Sequence, residues 1–289
     1  MEKISKQYLK KPAWLLIKTP YGENYKRISQ LVKNNNLNTV CYSAACPNIA
    51  YCWQKKTATF MIMGNKCTRA CRFCAIKTAK FPAPLDQNEP NNLAHSVKIM
   101  GLSHIIITSV SRDDLKDYGA EHFAKCINTV LKKCPNSSIE VLTPDFLGKH
   151  ACIDTVLGEN PNVFNHNIET TRRLSLKIRP NSNYDRSLNV LKYAKKTYPH
   201  IKIKSGLMLG LGESLTEIKE SLIDLKNISV DFLTIGQYLR PSLKHAKLIR
   251  YVTPYEFAAL SKFAYNLGFS HVESNPLVRS SFRAKQAII

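Results

Sequence analysis

Residues 61–74 read MIMGNKCTRACRFC, and they place Cys67, Cys71 and Cys74 directly after an apolar run. Three thiolates within eight residues can reach one point only if a short loop wraps around a metal centre. A closed structural zinc site needs four ligands in a tetrahedron, and a stable iron-sulfur cluster usually takes four cysteines. The loop supplies three ligands, so the sequence predicts a metal centre with one open coordination site, where chemistry can take place.

The spacing of this loop, Cys-x-x-x-Cys-x-x-Cys with Phe73 before the last cysteine, resembles the signature loop of the radical S-adenosylmethionine (SAM) enzymes. The resemblance implies a 4Fe-4S cluster whose free iron binds the amino and carboxylate groups of SAM. The alternatives are a half-formed zinc knuckle and three unrelated buried thiols. Nothing at zinc-finger spacing follows downstream to complete a knuckle, which favours the cluster.

A second set of three cysteines, Cys41, Cys46 and Cys52, precedes the first. Six of the nine cysteines therefore lie within residues 41–74. In a reducing compartment such clustering favours metal ligation over disulfides. Buried structural thiols are the alternative, since free cysteine often packs as a small hydrophobe. We expect a second cluster site at these residues.

Length and composition indicate a globular protein. The chain has 289 residues, 44% of them hydrophobic and 22% charged, which is enough to bury the core of one α/β barrel. No run of 18 apolar residues occurs, so we expect no transmembrane helix and no membrane partner. The polar N-terminus has no secretory signal and no arginine before Arg27, which predicts a cytoplasmic location.

The net charge of +21 comes mainly from lysines that are spread along the whole chain. This pattern differs from the clustered arginines that bind phosphates, so we expect no nucleic-acid partner. A basic surface would nevertheless attract an acidic protein at low ionic strength.

From residue 57 onward, apolar β-branched runs alternate with helical patterns. The strands are predicted at Thr57–Met63, His104–Thr108, Ser138–Leu142, Val163–Ile168, Ile201–Leu209 and Asp231–Ile235. The helices are predicted near Asn91–Met100, Ala120–Lys133, Ala151–Leu157, Tyr184–Lys196, Leu215–Lys226 and Tyr255–Leu267. This alternation predicts an α/β fold, a parallel sheet curled into a partial, TIM-like (β/α)6 barrel. We expect an N-terminal segment at 1–56, the barrel at 57–240 and a C-terminal helix and extension at 241–289.

Polar side chains follow the predicted strands at their carboxyl ends, where barrels of this kind carry their reacting groups. Ser109 and Arg112 follow the second strand, and Asn167 and Glu169 close the fourth. His166 is either a packed, hydrogen-bonded histidine or a catalytic one. Together with the cysteine loop, these ends predict a ligand pocket at one rim of the barrel.

From about residue 36 to the end, the chain resembles the lipoyl synthase family of radical SAM enzymes. The first cysteine set fits the Cys-x4-Cys-x5-Cys motif that distinguishes this family, and the chain closes with its Arg-Ser-Ser motif at residues 279–281. Further agreement lies in SVSRDDL at 109–115, VFNHNIET at 163–170, KSGLMLGLGE at 204–213, GQYLRPS at 236–242 and PLVRSS at 276–281.

The resemblance implies insertion of two sulfur atoms, at carbons six and eight of an octanoyl chain that a lysine of a lipoyl carrier protein holds. The 67–74 loop would hold the 4Fe-4S cluster that reductively cleaves SAM to a 5'-deoxyadenosyl radical. Cys41, Cys46 and Cys52 would hold an auxiliary 4Fe-4S cluster that is consumed as the sulfur donor, with Ser280 as its fourth ligand. An alkoxide is a hard ligand among soft sulfurs, so we expect the Ser280 corner to dissociate readily.

For SAM, the resemblance implies contacts from the strand ends: Ser109 or Arg112 for the methionine end, and Asn167 and Glu169 for the ribose hydroxyls. Arg179 would pair with a carboxylate or bridge the barrel surface. The implied partners are octanoylated lipoyl carrier domains, either of the 2-oxoacid dehydrogenase acyltransferase subunit or of the glycine cleavage carrier protein. A ferredoxin or flavodoxin would supply electrons, and a monomer is the default for an enzyme that docks another protein.

Three positions depart from the family pattern. Tyr118 stands where the family has glycine, in the stretch that corresponds to the superfamily's motif for the SAM amino group, so the backbone conformation there is in question. Asn275 replaces a glycine, although asparagine tolerates positive φ better than most residues. Phe282 replaces a tyrosine, and the lost hydroxyl would weaken one contact near the auxiliary cluster.

Two other functions remain as alternatives. The first is another sulfur-inserting radical SAM enzyme that acts on tRNA, but that family adds a separate N-terminal domain and an RNA-binding tail. The segment of about 56 residues before the barrel leaves no room for both. The second is a non-enzymatic iron-sulfur or zinc protein, which would have no need of a polar barrel rim.

Overall fold

The computed structural model describes residues 9–16, 26, 29–30, 39, 46 and 48–284. Within them, a short 3-10 helix lies at Ala13–Leu15. The strands are β1 Thr57–Ile62, β2 Lys66–Cys67, β3 Lys77–Thr78, β4 His104–Ser109, β5 Ser138–Leu142, β6 Val163–Asn165, β7 Lys202–Leu209, β8 Phe232–Gln237 and β9 His271–Ser274. The helices are α1 Ile49–Gln54, α2 Glu89–Met100, α3 Ala120–Lys133, α4 His150–Leu157, α5 Arg172–Ile178, α6 Tyr184–Thr197, α7 Leu215–Asn227 and α8 Pro254–Asn266.

Seven strands form one sheet in the order β1-β4-β5-β6-β7-β8-β9, and every neighbouring pair is parallel. The order follows the chain because each connection carries a helix that returns to the adjacent position, as in βα barrels. The predicted partial barrel of the α/β class is confirmed. All six carboxyl ends that the sequence placed at one rim therefore lie on the same edge of the sheet.

The sheet has one more strand than the six predicted. β9 lies in the segment predicted as the C-terminal extension, and it pairs with β8 in the register Phe232↔His271 to Ile235↔Ser274. Its four residues include charged and polar side chains that are partly exposed, so no continuous apolar run in the sequence predicts a strand there. This strand returns the end of the chain to the barrel.

The fourth predicted strand ends earlier than expected. The prediction ran from Val163 to Ile168, whereas β6 stops at Asn165. Past that point the chain bulges, because Glu169 takes a left-handed φ of 63° and rejoins β7 only as an isolated bridge to Leu207. The bulge directs the side chains that follow β6 towards the rim instead of continuing the ladder.

Local sequence explains where the helices begin. Ser214 and Thr253 each accept a hydrogen bond from the backbone of the glutamate three residues on, and that glutamate bonds back to the cap, so α7 and α8 start with complete capping boxes. Of the helices described, none is long and apolar enough to cross a membrane.

A buried ion pair crosses the middle of the sheet. The Lys204 ammonium lies 2.9 Å from both carboxylate oxygens of Glu140, and the Asn165 amide donates to the same carboxylate at 2.7 Å. All three side chains are buried. Removing one partner would leave a buried charge uncompensated, at a cost of about 3–5 kcal/mol.

Candidate active site and metal centres

The cysteine loop begins with a sharp turn after β1. Met63 and Gly64 both have positive φ, 66° and 87°, and this turn leads into β2. There Cys67 pairs with Thr78 of β3. The Cys67 Sγ accepts hydrogen bonds from the backbone amides of Arg69 at 3.4 Å and Ser111 at 3.3 Å. Amide donors of this kind stabilise a thiolate, so the first predicted ligand is oriented by backbone from two strand ends.

Cys71 and Cys74 lie in the second half of the loop, partly buried. Burial raises the pKa of Cys71 to about 12 and that of Cys74 to about 11, and the neighbouring cysteines and Glu169 act in the same direction. The three thiols are thus close enough to repel one another as thiolates. A bound iron-sulfur core would reverse this cost because metal binding deprotonates its thiols. The predicted 4Fe-4S cluster fits this donor set.

The described residues contain no group of three histidine, cysteine or acidic side chains arranged to hold a single metal ion. Hydrogen bonds to backbone groups hold the second half of the cysteine loop in place. The Arg72 amide donates to the Ile178 carbonyl at 2.8 Å, and the His245 Nε2 donates to the Cys74 carbonyl at 3.0 Å. The Ser242 hydroxyl lies 2.8 Å from the other ring nitrogen of His245.

Arg69, between Cys67 and Cys71, anchors the loop by its side chain. Its guanidinium is buried and contacts Asp113 at 2.7 and 2.8 Å, and it reaches Asp145 at 2.7 Å. Sequence reasoning did not single out Arg69 or Asp145 as functional. The signal available was an arginine inside the cysteine loop together with aspartates after two strands.

Two predicted SAM contacts follow β4. Arg112 is buried and pairs with Asp114 through Nε and Nη2 at 2.8–3.2 Å, while its Nη1 has no hydrogen-bond partner among the described residues. The Ser109 hydroxyl is likewise buried, with no partner in the described part of the chain. Buried polar atoms of this kind normally have a partner. Both atoms therefore suit a polar ligand at this rim.

The other predicted contacts come together after β6. Asn167 donates to Glu169 at 3.2 Å, and Arg179 lies near enough for its charge to act on Glu169 and Cys71. Burial raises the pKa of Glu169, while Arg179 and Asn167 oppose the shift. Arg179 itself is buried and donates to the Ile168 carbonyl at 2.9 Å. It is therefore a buried residue that contacts the chain after β6, not one that bridges the barrel surface.

His166 is a packed residue. Its ring nitrogens lie 2.9 Å from the Thr143 carbonyl and 2.9 Å from the Ser187 hydroxyl, and the side chain is buried. Burial lowers the pKa of His166 to about 4, and the charge of Arg179 adds to the shift. The ring is neutral at pH 7 and has no free nitrogen to offer a substrate.

The second cysteine set is described only in part, because Cys41 lies outside the described residues. Cys52 is buried in α1, and Cys46 lies just before it with a pKa that burial raises and the charge of Arg279 lowers. Arg279 precedes Ser280, so the Arg-Ser-Ser motif lies beside this cysteine set. Burial lowers the pKa of Arg279 in turn.

Further contacts join the C-terminal segment to α1. The Asn48 amide donates to the Leu277 carbonyl at 2.7 Å, and the rings of Tyr51 and Phe282 lie 5.6 Å apart. Phe282, which stands where the family has tyrosine, thus contacts α1 through its ring. The Ser280 hydroxyl lies 2.7 Å from the Asn167 Nδ2 and so also meets the barrel rim.

The remaining two departures have clear conformations. Tyr118 adopts a left-handed φ of 56°, the region that a glycine would occupy, and Gly119 follows at 86°. A side chain would be strained at this φ, and its Cβ would lie 2.2 Å from the flexible end of Met63, so the turn favours glycine there. Asn275 is not among the described residues with positive φ, and its amide donates to the Ile235 carbonyl at 3.1 Å. Its replacement of glycine therefore demands no special backbone.

Comparison with solved structures supports the fold. Methylornithine synthase superposes with a TM-score of 0.55 at 15% identity, covering 88% of this chain and 83% of that one. The FeFe-hydrogenase maturase HydG of Carboxydothermus hydrogenoformans gives a TM-score of 0.58 at 14% identity, covering 91% of this chain and 77% of that one.

Sequence comparison defines the family. Residues 61–225 match the radical SAM superfamily, and residues 1–46 match the N-terminal domain of lipoyl synthase. The lipoyl synthase of Shouchella clausii (strain KSM-K16) is 50% identical over 283 residues, covering 98% of this chain and 91% of that protein. With its cysteine loop, its polar rim and its Arg-Ser-Ser segment at α1, the chain belongs to the lipoyl synthase family of radical SAM enzymes.

Proposed function

We propose that the enzyme divides the lipoyl synthase reaction between two sites at one barrel mouth. The reaction inserts two sulfur atoms into a protein-bound octanoyl chain, and it uses SAM and two 4Fe-4S clusters. In our proposal Cys67, Cys71 and Cys74 hold the cluster that binds SAM. Cys41, Cys46, Cys52 and Ser280 hold the auxiliary cluster.

One observation carries this division. The Ser280 hydroxyl lies 2.7 Å from Asn167, which follows β6 on the rim that also receives the cysteine loop. The C-terminal Arg-Ser-Ser motif therefore contacts both α1 and the barrel rim. A substrate that reacts at both sites would have to lie between them. An arrangement for a single cluster gives no reason for such a contact.

When bound, the first cluster supplies the electron that cleaves SAM, and the auxiliary cluster supplies sulfur. The chain's own residues bind and orient. The Ser109 hydroxyl and the Arg112 Nη1, which have no partner among the described residues, offer hydrogen bonds to the methionine end, and the Asn167 Oδ1 and the Glu169 carboxylate accept them from the ribose hydroxyls. Arg179 lies near enough for its positive charge to favour the ionised forms of Glu169 and Cys71. Abstraction of a hydrogen atom needs no acid or base, in keeping with the neutral, packed His166.

The partners of the enzyme follow from this chemistry as further proposals. Octanoylated carrier domains of 2-oxoacid dehydrogenases and of the glycine cleavage system would present the substrate. A ferredoxin or flavodoxin would reduce the loop cluster, and a monomer would leave the mouth open to both. The cytoplasm suits thiolates that must stay reduced. We keep 1–56, 57–240 and 241–289 as proposed functional units.

The test is anaerobic reconstitution followed by incubation with an octanoylated carrier domain, SAM and dithionite. We expect about eight irons per chain, four for each cluster, and a lipoyl product visible by mass spectrometry. Cys67→Ala and Cys41→Ala should each lose about four irons, and both should abolish the lipoyl product. Cys134→Ala, which removes a partly exposed cysteine outside both sets, is the matched control and should keep all eight.

Formation of 5'-deoxyadenosine by the wild-type enzyme without any sulfur on the carrier would overturn the proposal. An iron count that falls in Cys134→Ala as much as in Cys41→Ala would remove the assignment of the second site.

A further inference from the structure

Asn167 occupies a position between the two proposed sites. Its side chain is 6% exposed, and its Nδ2 lies 2.7 Å from the Ser280 Oγ and 3.2 Å from the Glu169 Oε1. The amide nitrogen donates to both groups and therefore lies on this side of the side chain. The two amide protons serve the two partners, one each.

The backbone around Ser280 is fixed independently of this contact. The Val278 amide donates to the Asn275 carbonyl at 3.0 Å, and the Phe282 amide donates to the Arg279 carbonyl at 2.8 Å. A Cβ on Gly236 would lie 2.3 Å from the Val278 carbonyl oxygen, so the segment packs directly on β8. The segment brings Ser280 to the rim, and Asn167 then meets its hydroxyl.

The hydrogen bond has a direction that suits ligation. Because Asn167 donates, the Ser280 oxygen accepts, and an oxygen that accepts need not keep its own proton for this contact. A donor beside an alkoxide stabilises its negative charge more than it would a neutral hydroxyl. The same amide therefore fits the serine both as a free hydroxyl and as an iron ligand.

The other end of the amide faces a different group. The Asn167 Oδ1 is buried without a partner among the described residues, and a Cβ on Gly206 would lie only 3.0 Å from it. The glycine leaves room for this oxygen, which is free to accept a hydrogen bond from a ligand at the rim. One side chain thus reaches a ligand with its oxygen and Ser280 with its nitrogen.

We propose that Asn167 is a positioning residue for Ser280. Asn167 holds this fourth ligand of the auxiliary cluster from the side of the barrel mouth where SAM would bind. The inference rests on the proposed function, since it takes Ser280 as a ligand. It adds that the position of the fourth ligand, Ser280, is not determined by the C-terminal segment alone. Loss of the Asn167 amide should weaken the ligation of the auxiliary cluster by Ser280 even when the SAM site holds no cluster.

The experiment uses a full-length background in which Cys67, Cys71 and Cys74 are all alanine, so only the auxiliary cluster can form. The rate of iron loss to a chelator is measured for this background and after addition of Asn167→Ala, Ser280→Ala or both. We expect Asn167→Ala to speed iron loss about tenfold, the effect of one charge-assisted hydrogen bond. The double variant should lose iron no faster than Ser280→Ala alone.

Asn165→Ala is the matched control. Asn165 is also buried, ends β6 two residues before Asn167, donates to a glutamate and has an Oδ1 with no partner among the described residues, but its amide bonds to Glu140. Its removal should leave the rate of iron loss within about twofold of the background. If Asn167→Ala lowers the melting temperature more than Asn165→Ala does, Asn167→Asp, which keeps the size and replaces the donor by an acceptor, should give the same tenfold effect.

Equal rates for Asn167→Ala and Asn165→Ala would overturn the inference and leave the two-cluster proposal intact, as would additive effects of Asn167→Ala and Ser280→Ala. A background protein that binds no iron would instead overturn the auxiliary site itself, and this inference with it. The inference would be supported by about four irons in the background protein, faster iron loss in Asn167→Ala and a non-additive effect in the double variant.

Discussion

The Arg69 guanidinium and the Asp113 carboxylate form a two-point ion pair, with Nε–Oδ2 at 2.7 Å and Nη2–Oδ1 at 2.8 Å. This pair joins the middle of the cysteine loop to the segment after β4. Arg69 also reaches Asp145 after β5, and Asp145 in turn pairs with Arg186 at 2.7 Å. The loop is therefore tied to two strand ends by ion pairs.

Replacement of Arg69 tests this anchor. Arg69→Met should lower the free energy of unfolding by about 3 kcal/mol, because it removes one of the two arginines that pair with the buried Asp145 carboxylate and leaves the partly buried Asp113 without its partner. It should also reduce the iron bound by the loop. Chemical denaturation and iron analysis measure the two effects.

The control for this change is Arg250→Met, which breaks the exposed pair of Arg250 with Glu256. Exposed pairs contribute at most about 1 kcal/mol. Equal losses of stability in the two variants would contradict the role given to Arg69.

His166 predicts a pH dependence of stability. Its pKa is about 4 in the folded protein, because burial and the charge of Arg179 disfavour the protonated ring, and about 6.5 in an unfolded chain. The neutral ring therefore stabilises the fold fully above pH 6.5, and this contribution is lost as the pH falls towards 4. The loss amounts to about 3 kcal/mol.

His166→Gln should flatten the decline of unfolding free energy between pH 6.5 and 4, since glutamine does not titrate. Denaturant titrations of both proteins at several pH values provide the measurement. Parallel curves would mean that another group causes the decline.

Arg112 should contribute to the affinity for SAM through the planar set of N–H donors of its guanidinium. Arg112→Lys keeps the charge but loses the planar geometry and the free Nη1, so we expect SAM to bind about tenfold more weakly to the unreduced, reconstituted enzyme. Calorimetry measures this affinity. Arg173→Lys, at an exposed arginine that pairs with Glu217, should bind SAM like the wild type; unchanged binding in both variants would remove Arg112 from the site.

Tyr118 should tolerate the family glycine. Because Tyr118 already has a left-handed φ of 56°, Tyr118→Gly keeps the same backbone, and SAM affinity should stay within about twofold. By contrast, Gly119→Ala places a Cβ at φ 86° and against Met63, which should cost about 1–3 kcal/mol of stability. A large gain of SAM affinity in Tyr118→Gly would show that tyrosine distorts the turn.

The sequence predicted most of the barrel because six strands are continuous apolar runs between helices with regular spacing. It predicted β5 and α3 with their observed bounds. It missed β9, whose side chains are polar and partly exposed except for the buried Val272, and it extended β6 through residues that bulge at Glu169. Short edge strands and bulges depend on tertiary pairing, which periodicity does not report.

Sequence reasoning proposed the ligands of the site but not the groups that hold them. Cysteine spacing named Cys67, Cys71 and Cys74, whereas their support comes from Arg69 and from the Ser111 amide, which lies 44 residues from the cysteine it contacts. The contact of Ser280 with Asn167 likewise spans 113 residues. A chain read in order gives no sign of such distant partners unless a motif is already familiar.

The hydrogen bond from Asn48 to the Leu277 carbonyl joins residues 229 positions apart, near the two ends of the described chain. α1 can acquire this partner only after the ribosome has synthesised residue 277. The region around α1 is thus completed late in synthesis, after the barrel strands have emerged. A product that stops before residue 277 would lack this clasp, so the contact reports that synthesis has passed the last strand of the sheet.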